Sequence, residues 1–76
     1  MSAPTRVVDA LGTYCPVPIH LLERAMLRTG PGDLLELLAD DPLIELDLPA
    51  WCHETGHELV ELAESEGEYR ALIRQR

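Results

Sequence analysis

The apolar positions of this chain switch between the period of two that suits a strand and the period near 3.6 that suits a helix. Residues 5–11, Thr-Arg-Val-Val-Asp-Ala-Leu, are rich in β-branched side chains and read as a first strand, broken by Gly12 and Thr13. From Pro16 to Thr29 the apolar residues Leu21, Leu22, Ala25 and Met26 follow helical spacing, with Pro18 and Ile19 at the margins of the same face. Gly30-Pro31-Gly32 ends that helix.

Leu34 to Ala39 is a nearly continuous apolar run interrupted only by Glu36, as expected of a central strand covered on at least one face. Asp40-Asp41-Pro42 stops it and opens a second helical segment, in which Ile44, Leu48, Trp51 and Thr55 share a face. Pro49 argues against an uninterrupted helix here, so the pattern predicts a restart with Asp47 as cap, Pro49 in the first turn and Gly56 at the end. Glu58 to Ala63 and Tyr69 to Arg74 then read as two strands around a Ser65-Glu66-Gly67-Glu68 turn.

The order is β-α-β-α-β-β. It predicts an α/β fold: a two-layer sandwich with a mixed four-stranded sheet and both helices on one face. Seventy-six residues leave room for one small domain, expected over residues 1–76, with a thin core and no linker or repeat.

Charge narrows the function. Fourteen acidic residues stand against six arginines and no lysine, a formal net charge of -8, which argues against a nucleic-acid partner. The absence of lysine excludes a Schiff-base mechanism. No apolar run is long enough to cross a bilayer and residues 1–14 lack a signal-peptide pattern, so the chain reads as cytoplasmic with no membrane partner. Two cysteines in that compartment are expected to stay reduced.

The chemistry concentrates at Cys15-Pro16-Val17-Pro18, where the first strand has ended and the first helix begins. Pro16 suits the first helical position and pushes Cys15 towards the extended geometry of a cap. Pro18 removes a second donor, leaving the amides of Val17 and Ile19 to face the sulfur. The helix N-terminus then favours a thiolate, so the Cys15 pKa is expected below that of a free cysteine, and Cys15 is the candidate nucleophile.

Other candidates have plainer readings. Cys52, beside Trp51 on the edge of an apolar face, reads as an inert, partly buried thiol. His53 and His57 are four apart, but Gly56 places His57 past the helix end, where it is expected to hydrogen-bond locally; no metal or other cofactor is expected. Asp40 and Asp41 are explained by a cap before Pro42. On helix one, Val17, His20, Arg24, Leu27 and Arg28 fall opposite Leu22 and Met26, a mixed stripe that starts next to Cys15 and offers a docking surface for a partner.

Asp9-Ala10-Leu11-Gly12, Cys15-Pro16-Val17-Pro18, Ala39-Asp40-Asp41-Pro42, Asp47-Leu48-Pro49-Ala50-Trp51-Cys52 and Gly56-His57-Glu58-Leu59, in this order, resemble the TusA/SirA-like small sulfur carrier proteins across almost the whole chain. The resemblance implies a fold like the C-terminal domain of translation initiation factor three. It also implies a sulfurtransferase-type carrier that accepts sulfane sulfur as a persulfide on Cys15. The donor would be a cysteine desulfurase or another sulfurtransferase; the acceptor would be a further protein in tRNA thiolation, molybdenum-cofactor or sulfur-oxidation pathways. Tyr14 and Val17 replace the basic and acidic residues of the Leu-Arg-Cys-Pro-Glu-Pro form typical of the tRNA-thiolation branch, a change that bears on partner choice. The alternative is a noncatalytic adaptor or redox-sensing regulatory module on the same fold.

Overall fold

The computed structural model describes residues 3–76; Met1 and Ser2 of the expected domain lie outside the described residues. Six elements follow in the expected order: β1 (Arg6–Ala10), α1 (Val17–Met26), β2 (Leu34–Ala39), α2 (Ile44–Thr55), β3 (Glu58–Ser65) and β4 (Glu68–Arg74). The sheet order is β1-β2-β4-β3, with β1 parallel to β2 and the other two pairings antiparallel. β2 is therefore an interior strand, in keeping with its apolar run.

Strand alternation sends one row of side chains to the helices. Val8 lies opposite Leu37, Leu37 opposite Ala71, and Ala71 opposite Leu62, and these inward residues join Ile19, Leu22, Ile44, Leu48 and Cys52 in one core. Both helices therefore cover the same face of the sheet. Leu48 is fully buried at the centre of α2. Leu48→Ala should lower stability by about 2–5 kcal/mol, a large share of the roughly 5–15 kcal/mol typical of such a fold. A fall in the urea midpoint at unchanged denaturant slope is the expected reading.

Besides the loss of one residue at each end of β1, three differences from the sequence pattern stand out. α1 is shorter than Pro16–Thr29: its N-cap is Pro16, and beyond Met26 the amides of Leu27 and Arg28 turn back to carbonyls three residues away. This tightened turn ends the regular helix before Gly30. The β3–β4 hairpin is longer than expected, because Glu66 and Gly67 both adopt positive φ. Two such residues form the tight turn whose twist matches the strands, so pairing continues to Ser65 and Glu68.

The third difference is in α2, which does not restart at Asp47. Asp41 opens it instead: its carboxylate accepts from the Leu43 amide at 3.1 Å and its carbonyl from the Ile44 amide at 3.0 Å. The Asp47 amide already donates to Leu43 at 2.9 Å, so Asp47 is interior to the helix. Pro49 sits within the helix and costs only the bond that its missing N–H would make to Glu45, an exposed residue. The buried stripe runs through Ile44, Leu48 and Cys52; Thr55 is exposed, with its hydroxyl donating to the Trp51 carbonyl. The expected stop at Gly56 is present, in the left-handed conformation.

Candidate functional site

Because Ala10 pairs with Ala39, the loops that follow β1 and β2 leave the sheet side by side. That placement brings Cys15 next to Asp40 and Asp41. The Gly12 amide donates to Asp40 Oδ2 at 3.0 Å, and the Cys15 amide donates to Asp41 Oδ2 at 2.9 Å. Thr13 closes the loop on itself, donating from both its amide and its hydroxyl to the Ala10 carbonyl. Asp41 thus has two tasks. One carboxylate oxygen starts α2 and the other holds the backbone of Cys15, and these two bonds keep its carboxyl below the usual aspartate pKa, the Cys15 bond contributing most.

Sequence reasoning placed Asp40 and Asp41 just before the helix, where Asp41 bonds in the turn preceding the Leu43 cap, and missed the tether. The available signal was the paired aspartates at the end of a strand predicted to neighbour the first. Only the register shows which loop they reach.

The electrostatics of Cys15 are the reverse of the sequence expectation. Cys15 precedes the Pro16 cap, across a cis peptide bond, and is not the cap itself. The Val17 amide, expected to face the sulfur, donates to the Tyr14 carbonyl at 2.8 Å. Ile19 and Pro18 are buried in the core. One of the two amides expected to face the sulfur is therefore taken by another acceptor. Desolvation, followed by the hydrogen bond and charge of Asp47 and the charge of Asp41, pushes its pKa up to about 11. Freed from a capping role, Asp47 faces the sulfur.

Such an arrangement does particular chemistry. With its pKa raised to about 11, Cys15 is a thiol at neutral pH, beside the carboxylates of Asp47 and Asp41. The sulfur is half-buried and reachable. Its chain neighbours Leu11, Tyr14 and Val17 are exposed, Tyr14 to 78%, as are Leu43 and Leu46 in and before the first turn of α2.

Cys52 differs by access. Burial alone pushes its pKa up to about 11, and it is 4% exposed within the core, deeper than the half-buried position expected. Limiting alkylating reagent should therefore label Cys15 well ahead of Cys52. Peptide mapping measures the ratio, and equal labelling of the folded protein would refute it.

The remaining candidates are dispersed. His53 is exposed, while His57 Nδ1 accepts from the Arg76 amide at 3.1 Å and its ring lies 5.3 Å from that of Trp51. His57 is thus a strand-entry residue whose partner is the far end of the chain, not a close neighbour. Val17, His20 and Arg24 on α1, and Leu27 and Arg28 in the turn that follows it, are all exposed.

The family model described as Sulfurtransferase TusA matches residues 6–75. Proteins named Sulfur carrier protein TusA from Pseudomonas paraeruginosa and Pseudomonas aeruginosa are 40% identical over 70 residues, covering 92% of this chain and 89% of theirs. The crystal structure of a SirA-like protein from Desulfitobacterium hafniense superposes with a TM-score of 0.80 at 25% identity, covering 92% of this chain and 96% of that one. By a family match across almost its whole length, and with the two-layer fold of a SirA-like protein, the chain belongs to the TusA family of sulfur carriers.

Proposed function

We propose that the protein accepts sulfane sulfur on Cys15 as a persulfide and passes it to an acceptor protein. Cys15 attacks the outer sulfur of a donor persulfide, an S–S bond forms at Cys15, and the donor cysteine leaves as a thiolate. The proton of Cys15 goes to Asp47 and from there to the departing thiolate. In the second half the acceptor thiolate attacks the outer sulfur and Cys15 leaves, so no external oxidant or reductant enters. The donor is a cysteine desulfurase or another sulfurtransferase.

One observation carries this reading: a reachable thiol, held by its own amide on Asp41, opens among exposed apolar side chains. A group that must meet two different proteins needs this combination of fixed backbone and uncovered surroundings. Incubation with a cysteine desulfurase and cysteine should add one sulfur atom to the intact mass. A mass that stays unchanged with an active desulfurase would overturn the proposal.

The stripe of Val17, His20, Arg24, Leu27 and Arg28 supports docking beside the sulfur. Arginines on an acidic protein steer acidic partner surfaces through association rate more than through bound-state energy. The double variant Arg24→Glu, Arg28→Glu should slow transfer roughly tenfold at low salt and far less at high salt. Alkylation of Cys15 should not change. Transfer rates measured across ionic strength check both halves.

A further inference from the structure

Acidic residues outnumber arginines on this chain by fourteen to six, so a guanidinium without a carboxylate partner calls for an explanation. Arg70 is paired with Glu36 and Glu61, while Arg74 and Arg76 reach Glu58. Arg6, Arg24 and Arg28 make no ion pair among the described residues, and all three line one groove of about 360 Å3 between β1 and α1. The carboxylates nearest in sequence are engaged elsewhere. Glu23, the one acidic residue of α1, accepts from Trp51 Nε1 of α2 at 3.2 Å, and Asp9, the one acidic lining residue, accepts from the Leu11 amide at 3.0 Å. The end of a helix favours Arg24 and Arg28 without any ligand. Arg6 has no such reason to be there: it comes from the start of β1 and lines the same groove.

The groove is amphipathic. Val8, Leu21 and Ala25 supply apolar walls that are buried or half-buried, and Leu27, 86% exposed, adds an uncovered one. No aromatic residue lines it among the described residues. Its volume falls within the range of small-ligand pockets. It also lies away from the sulfur, because β1 rises about 13 Å from Arg6 to Ala10, the end that leads to Cys15, and Arg24 is about 10 Å along α1 from Val17.

We propose that this groove binds an aliphatic phosphate, a hydrocarbon chain carrying a phosphate head group. Phosphate suits the three arginines because it presents three acceptor oxygens to planar forks that pair with it bidentately, whereas a carboxylate has two. The hydrocarbon suits the walls. A nucleobase finds no aromatic side chain there to stack on, and a bare anion leaves the apolar lining unused. A second copy meeting this one groove to groove would set arginine against arginine and is disfavoured. Arg24 and Arg28 also belong to the proposed docking stripe, so a bound phosphate would compete there with an acidic partner. Arg6 lies outside that stripe and reports on the groove alone. The test involves no sulfur, so its failure would leave the loading of Cys15 standing.

The probe is octyl phosphate, titrated at low salt against the backbone amide shifts of the folded protein. Inorganic phosphate, adenosine monophosphate, the peptide acetyl-Glu-Val-Glu-Val-amide and phosphatidylglycerol vesicles are the comparisons. Octyl phosphate should saturate a single site and shift the amides of Val8 and Ala25, and inorganic phosphate should bind about tenfold more weakly or worse. Arg6→Ala and Arg28→Ala should each weaken octyl phosphate roughly fivefold. Leu27→Ser, at an exposed position, should weaken it roughly threefold through lost apolar contact. Circular dichroism confirms that the three variants fold. The assignment fails if octyl phosphate does not bind at about ten millimolar, if Arg6→Ala leaves its affinity unchanged, or if inorganic phosphate or adenosine monophosphate binds as tightly. It fails equally if another occupant takes the groove: tighter binding of the acidic peptide would mark a partner protein, binding confined to vesicles a membrane surface, and shifts that grow with protein concentration alone a second copy.

Discussion

Cys15→Ser is expected to abolish sulfur loading completely while leaving the fold unchanged, and Cys52→Ser is expected to retain most of it. Serine keeps the amide that donates to Asp41, so the loop stays tethered. Its hydroxyl cannot form a persulfide. Cys52→Ser replaces a thiol that is 4% exposed in the core, so its effect falls on stability through a polar group placed among apolar ones. Desulfurase-driven loading followed by intact mass separates the two, with thermal melting as the check on folding. Loading of Cys15→Ser at the wild-type level would move the site elsewhere.

The second large effect concerns pH. A cysteine pKa near 11 means that the reactive thiolate grows about tenfold for each pH unit above neutrality, because only the ionised sulfur is alkylated. Alkylation of Cys15 should therefore climb by about three orders of magnitude between pH 7 and pH 10 without a plateau. A thiol activated by a helix terminus would level off near neutrality. Asp47 contributes to the raised pKa by hydrogen bond and by charge, so Asp47→Asn should lower the pKa and speed alkylation at about pH 8 roughly tenfold. The same variant should impair sulfur transfer, since the group that draws off the proton is gone. Opposite signs in the two assays would distinguish proton acceptance from simple activation. A plateau below about pH 8 would show that the helix terminus governs the sulfur after all.

These two results divide what the residues reveal on their own from what they conceal. β2 was legible to the residue, because an apolar run with a single polar member between Gly-Pro-Gly and Asp-Asp-Pro has one reading. The candidate cysteine stood out in the motif. Its electrostatics did not, because they depend on Asp41 and Asp47, which are 26 and 32 positions away and reach Cys15 only through the β1–β2 register. α2 was misread for a related reason: proline carries a strong local signal against helix, and tertiary burial of Ile44, Leu48 and Cys52 outweighs it.

Asp41 and Asp47 bear on the far side of the reaction as well. The field that resists ionisation of the Cys15 thiol also acts on any anionic sulfur attached there. On the proposed reading, a sulfur carried on Cys15 would be held at a site of unfavourable charge, on a half-buried residue whose chain neighbours Leu11, Tyr14 and Val17 are exposed. Storage would call for the opposite, a buried pocket lined with donors. Impermanence would then be built into the proposed site: a sulfur met there by a partner is given up more readily than it is kept.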